Sequence, residues 1–231
     1  MTLLLNIGPV SGAVFEERVS RFTVRLRGGA LCHLHDPGRL RHLLRPGVRL
    51  LVRQAWRPGR RTSCDVVAAW DRDILVLEDT RLPNKLLPAA MRHLAPGLSI
   101  IAAERMINGT RVDYVARAPG GEIVLIEVKG TNLARSGVAY FPDAPSRRAV
   151  RQLEALAAAS RHGVYGLIVF TILRPDATSL RPERRVDPLL ASRLCGLRHQ
   201  LGYLAYRVEP RLRDDKLLVY YVGPVKVEPC S

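Results

Sequence analysis

Over the first 78 residues apolar side chains recur at every second position in short runs, and glycine and proline break the runs. That period places one face of an extended chain in a core. Strands are therefore expected over Val10–Val19, Arg21–Arg27, Leu31–Leu34, Val48–Gln54, Cys64–Trp70 and Ile74–Glu78. Arg25-Leu26-Arg27-Gly28-Gly29-Ala30-Leu31 has the form of a hairpin, its glycines supplying positive φ at the turn. One short helix is expected over Arg39–Leu44, after Asp36-Pro37-Gly38 and before Pro46-Gly47.

From residue 79 the pattern changes to mixed helix and strand. Asn84–Leu94 reads as a helix. A hairpin follows, Thr110–Arg117 and Glu122–Lys129 joined by Ala118-Pro119-Gly120-Gly121. Pro145–Arg161 is amphipathic at helical spacing, and Val164–Leu173 is apolar enough for a central buried strand. Asp187-Pro188 starts a further helix as N-cap and first helical residue, and Tyr203–Val208 and Lys216–Val222 are strands. The chain thus reads as an α+β protein of two domains, 1–78 and 79–231. Five or six short strands with one helix suit a small barrel of the oligonucleotide-binding (OB) type, and a generic β-domain fits them as well.

Ile123-Val124-Leu125-Ile126-Glu127-Val128-Lys129 is the most informative segment. Strand alternation puts Glu127 and Lys129 on one face at the end of an apolar run. If the loop turns near Gly120, Asp113 on the preceding strand falls opposite Glu127, whereas a slip of one residue would send it to the other face. Two carboxylates on buried strands repel each other and resist desolvation. A hard divalent cation relieves both penalties, and carboxylate oxygens with the Val128 carbonyl suit magnesium or manganese. Lys129 could then orient the attacking water or offset charge on the transition state. The alternative is a Glu–Lys pair facing solvent at a strand end.

Charge adds a partner class. The 231 residues include 36 Lys and Arg against 21 Asp and Glu, a net charge of +15. A polyanion is the natural partner of such a surface. Charge alone does not choose between DNA, RNA and an acidic membrane, and only four of the basic residues are lysines, a bias that genomic base composition also produces. No apolar run approaches the ~18 residues of a membrane span. The start, Met1-Thr2-Leu3-Leu4-Leu5, lacks the features of a signal peptide, so a cytoplasmic location is expected. Cys32, Cys64, Cys195 and Cys230 form no Cys-x-x-Cys pair, which argues against a zinc knuckle or a redox motif. Reduced thiols are expected, with a Cys32–Cys64 bridge as the alternative.

Asp113 followed by Glu127-x-Lys129 resembles the PD-(D/E)xK nuclease superfamily. Nearly end to end, the chain resembles the sugar fermentation stimulation protein A family. The matching segments are His35-Asp36-Pro37-Gly38-Arg39-Leu40, Asp79-Thr80-Arg81-Leu82-Pro83-Asn84, Thr110-Arg111-Val112-Asp113-Tyr114, Ile126-Glu127-Val128-Lys129-Gly130 and Tyr140-Phe141-Pro142-Asp143-Ala144-Pro145. The resemblance implies an N-terminal OB barrel, a C-terminal nuclease-like α/β domain and DNA binding, with regulation of sugar metabolism as the name-giving role. Asp113 and Glu127 become metal ligands, Lys129 the catalytic lysine, and Glu104 the acidic residue that precedes the nuclease hairpin. A solvent-facing glutamate is the alternative for Glu104. The family's Thr-x-Arg-Gly-x-x-His after the proline is absent, and Gln152 stands in place of the histidine. His35-Asp36-Pro37 also lacks the family's usual Pro-Asn pair.

Arg147, Arg148 and Arg151 crowd the start of the helix at Pro145, where the helix dipole disfavours positive charge and free N–H groups attract anions. They are candidate phosphate contacts together with Arg39; the alternative for the helix arginines is that they fan into water or pair with Asp143 and Glu154. Arg57-Pro58-Gly59-Arg60-Arg61 is an exposed basic loop, and Trp56 and Trp70 are expected in the barrel wall or core. The expected function is DNA binding with magnesium- or manganese-dependent phosphodiester hydrolysis. The rival is a non-catalytic DNA-binding regulator that kept the nuclease fold; an RNA-binding accessory protein would also fit the charge.

Overall fold

The computed structural model describes residues 1–38, 40–55, 57–107, 109–160 and 163–231, the side chain of Thr110 excepted. The chain divides into two compact units. Met1–Leu82, Leu173–Asp176 and Val208–Val222 form the first; Pro83–Ile172, Ala177–Arg207 and Gly223–Ser231 form the second. Among the described residues no helix is long and apolar enough to cross a membrane.

The first unit opens with β1 (Thr2–Pro9), β2 (Ser11–Ser20), β3 (Thr23–Leu26), β4 (Leu31–Leu34), β5 (Arg49–Gln54), β6 (Cys64–Asp71) and β7 (Ile74–Leu77). Strands pair in the order β4-β3-β2-β5-β6-β7, and a parallel pairing of β4 with β6 closes five of them into a barrel. Alternation fills its interior, with Val24, Leu26, Leu34, Leu50, Val52 and Val66 buried. The β3–β4 hairpin forms where its glycines permit, Gly28 and Gly29 having φ of 95° and 87°.

Two expectations are corrected here. Leu40–Leu44 is a single turn, closed by the Leu43 and Leu44 N–H groups on the Leu40 carbonyl, and it is not part of a helix, because Leu40 adopts φ of 50°. Arg39, at the start of that expected helix, lies outside the described residues, as does Trp56. The thiols are not reduced. Barrel closure makes Cys32 and Cys64 direct partners across β4–β6, and they are joined by a disulfide, as are Cys195 and Cys230.

The second unit contains α1 (Leu82–Leu94), β8 (Ser99–Ile107), β9 (Thr110–Arg117), β10 (Ile123–Thr131), β11 (Ala134–Arg135), β12 (Val138–Phe141), α2 (Arg147–Ala159), β13 (Val164–Ile172), β14 (Ser179–Pro182), α3 (Pro188–Gly196), β15 (Leu201–Arg213), β16 (Lys216–Pro224) and β17 (Lys226–Val227). Of these, the last part of β15 and most of β16 fall in the first unit, where β16 pairs with β1. The main sheet runs β15-β13-β10-β9-β8, and β11, β12, β14 and β17 make a smaller one. β13 lies between two parallel neighbours, β10 and β15, which accounts for its unbroken apolar run.

Helix α2 lays Ala149, Val150, Leu153, Leu156 and Ala157 into the core that also holds Leu125, Ile168 and Phe170. Its cap is Ser146, whose Oγ accepts from Ala149 N–H at 3.1 Å. Asp187 caps α3 as its sequence requires, accepting from Leu190 N–H at 2.9 Å.

A candidate metal site on the β9–β10 hairpin

Turn chemistry sets the register of this hairpin. Ala118 N–H donates to the Glu122 carbonyl, Gly121 takes φ of 94°, and the partners run Ile123↔Arg117, Val124↔Ala116, Leu125↔Val115 and Ile126↔Tyr114. One further step of this register would set Asp113 against Glu127. The backbone ladder stops there, and the Asp113 carboxylate takes over: Oδ2 accepts from Val128 N–H at 2.8 Å. Its Oδ1 accepts from Asn84 Nδ2 at 3.2 Å. Asp113 is therefore fixed by two hydrogen bonds, one from each neighbouring element.

Glu127 ends the apolar run of β10 and remains 4% exposed. Lys129, on the same face, places Nζ 2.5 Å from Glu127 Oε1 and 2.8 Å from Gln152 Oε1. The Glu–Lys pair is thus interior, with side chains 5% and 14% exposed. Burial pushes the Glu127 carboxyl above the usual glutamate range; Lys129 pulls it back and the Asp113 carboxylate pushes it further up. Such a raised group favours folding below the ordinary glutamate range and loses that contribution as pH rises through the raised value. Glu127→Gln should therefore melt a few degrees above the wild-type chain near neutral pH without metal, and the two curves should converge in acid. Thermal melts in a chelating buffer across that range measure it; an equal or lower melting temperature for the variant at neutral pH contradicts it.

Two residues of this cluster were not singled out for a role in the sequence. Asn84 sits in the first turn of α1, and its main-chain carbonyl has no helical donor because the residue four positions on is Pro88. Tyr114 Oη fills the gap, donating to that carbonyl at 2.6 Å. The proline inside the helix thus couples α1 to β9 next to Asp113. The clue was a Pro four residues after an Asn. Gln152, read as a departure from a family pattern, lies on α2 within reach of the lysine.

Glu104 lies on β8 at φ of 52°, between Ala103, paired with Tyr114, and Arg105, paired with Val112. Its side chain is 67% exposed and ion-paired with Arg111 at 2.8 Å. Arg147, Arg148 and Arg151 are exposed at the start of α2, and among the described residues none of them has an ion-pair partner. Glu154, one partner the sequence offered them, is held instead by Arg193 at 2.7 Å. The Arg148 charge still reaches Glu127 and lowers its carboxyl slightly. Trp70 is partly buried in β6, with the Arg49 guanidinium 4.8 Å from its ring centre.

Residues 81–213 match the family model described as the sugar fermentation stimulation protein RE domain, and residues 17–78 match that of the SfsA N-terminal OB domain. The sugar fermentation stimulation protein homolog of Moorella thermoacetica is 38% identical over 224 residues, 94% of this chain and 95% of the relative. The homolog of Pyrobaculum neutrophilum is 37% identical over 225 residues, 95% and 94% of the two chains. Among solved structures, Pyrococcus furiosus SfsA in complex with Ca2+ superposes with a TM-score of 0.85 at 25% identity, covering 99% of this chain and 100% of that one. The chain belongs to the sugar fermentation stimulation protein family.

Proposed function

We propose that this protein binds DNA and hydrolyses phosphodiesters at Asp113, Glu127 and Lys129, with magnesium or manganese as the cofactor. The observation that carries this reading is the placement of two carboxylates and one lysine close together on adjacent strands, Glu127 buried, Lys129 14% exposed and Asp113 half-buried. The donor chemistry fits a hard divalent cation. Asp113 and Glu127 would hold it, with the Val128 carbonyl as a further oxygen. Beside them Asn84 Oδ1 is buried without a hydrogen-bond partner, so one more oxygen is available to such an ion or to a water on it. Among the described residues no three His, Cys, Asp or Glu side chains form a metal cluster. A site with few protein ligands suits magnesium, which keeps waters and takes oxygens from substrate phosphate. The Ca2+ bound by the Pyrococcus furiosus relative supports divalent binding.

Bound there, the ion would supply positive charge for the phosphoryl oxygens and a more acidic water. The chain does the rest. Asn84 and Val128 N–H hold Asp113 in place, and Gln152 holds the Lys129 ammonium on the side of α2. From there Lys129 donates to the developing charge on phosphate or to the attacking water. Arg147, Arg148 and Arg151 take the flanking phosphates, relieving their conflict with the helix dipole. Replacing Arg147 and Arg151 by Ala should weaken DNA binding and make the dependence of log K on log salt shallower by about 0.9 for each duplex phosphate lost. Titrations at several salt concentrations measure this. Unchanged affinity with a lower melting temperature would make the arginines structural.

Gln152 in place of the family's histidine favours a second reading, a DNA-binding regulator without catalysis. Incubation with plasmid, single-stranded DNA and RNA, with manganese or with a chelator, separates the readings. Cleavage of DNA with manganese alone supports hydrolysis. DNA binding without cleavage under both conditions supports the regulator, and preference for RNA contradicts both.

A further inference from the structure

The amide of Asn84, beside Asp113, can be oriented from chemistry alone. An ionised carboxylate only accepts, so the amide nitrogen faces Asp113, 3.2 Å from its Oδ1. That leaves the amide oxygen on the other side. It is buried, and among the described residues no group donates to it. A buried acceptor without a donor opposes folding, so such atoms are rare unless an ion or a water occupies them. Turning the amide over is no remedy, because it would set the oxygen against the Asp113 carboxylate.

The main chain of Asn84 is held as closely as its side chain. Pro88 lacks the N–H that would bind the Asn84 carbonyl within α1, and Tyr114 Oη donates to that carbonyl instead, at 2.6 Å. Tyr114 is itself fixed by β9, which pairs it with Ala103 on one side and Ile126 on the other. Two consecutive residues of β9, Asp113 and Tyr114, therefore grip the side chain and the main chain of one asparagine. Burial of α1 requires neither the proline nor the phenol, since Leu86, Leu87, Ala90 and Met91 supply its packed face.

We infer that Asn84 Oδ1 is a ligand oxygen of the divalent ion, and that Tyr114 is a positioning residue acting on the ion through Asn84. This role rests on the metal site proposed above and requires no hydrolysis. A neutral oxygen adds a ligand without adding to the repulsion between Asp113 and Glu127. The test is calorimetric titration of manganese into the full chain, with thermal melts in a chelating buffer alongside. Asn84→Leu removes oxygen and amide together and should weaken manganese binding about 10- to 100-fold. Asn84→Asp keeps an oxygen but loses the donor to Asp113. It should bind manganese at least as tightly as the wild type, and melt lower without metal because two carboxylates then meet. Weak binding by Asn84→Asp as well would mean that the amide only orients Asp113, and would overturn the ligand role. Tyr114→Phe should weaken manganese binding about tenfold in the wild-type chain and not at all in the Asn84→Leu chain, while lowering the melting temperature equally in both. An equal loss of affinity in the two chains overturns the positioning role. Wild-type affinity in Asn84→Leu, beside lost binding in Asp113→Asn, overturns the inference and leaves the proposed metal site standing. Absence of manganese binding from the wild-type chain overturns both.

Discussion

Lys129→Ala should lower phosphodiester hydrolysis by about 10²- to 10³-fold, the usual loss when one donor to the developing charge is removed. Manganese affinity should stay the same or rise. In the metal-free chain the Lys129 ammonium is the cation that neutralises Glu127, at 2.5 Å, so removing it frees a ligand oxygen and does not remove one. Lys129→Arg should recover little, because a planar guanidinium cannot fit the same point between Glu127 Oε1 and Gln152 Oε1. Single-turnover cleavage at saturating manganese, compared across the wild-type chain and both variants, measures the effect. Near-normal rates in Lys129→Ala would leave the lysine with a structural role.

Asp113→Asn and Glu127→Gln should each abolish tight manganese binding and, with it, all measurable hydrolysis. The two variants fail by the same cause but differ in the metal-free fold. The amide of Asp113→Asn still offers one oxygen to Val128 N–H, so the hairpin should keep its register. Glu127→Gln removes a carboxyl whose ionised form burial opposes, so the chain should gain stability near neutral pH. Loss of metal in a chain that is no less stable distinguishes lost ligands from a damaged fold.

Much of this site could be read from the sequence because local rules set it. The Ala118–Gly121 turn fixed the register that brings Asp113 towards Glu127, and alternation along β10 fixed Lys129 beside Glu127. Asp187 and Pro188 announced α3 by cap chemistry alone. What escaped notice depends on contacts between distant segments. Asn84 reaches Asp113 only because α1 lies beside β9, and Gln152 reaches Lys129 only because α2 packs on the sheet that carries it. Cys32 and Cys64 come together only on barrel closure, so the sequence offered their bridge only as the alternative to reduced thiols, and it offered the Cys195–Cys230 bridge not at all. Strand β8 is an edge with mostly exposed residues and therefore lacks the alternation that marks a buried strand. Strands β11, β12, β14 and β17 are two to four residues long, too short for any periodic signal.

The most direct test of the central claim is a calorimetric titration of manganese into the metal-free wild-type chain, Asp113→Asn and Glu127→Gln. The expected result is one site in the wild type and no tight site in either variant, with all three chains folded by thermal melting. Tight manganese binding that survives the loss of both carboxylates, or its absence from the wild type, would contradict the account.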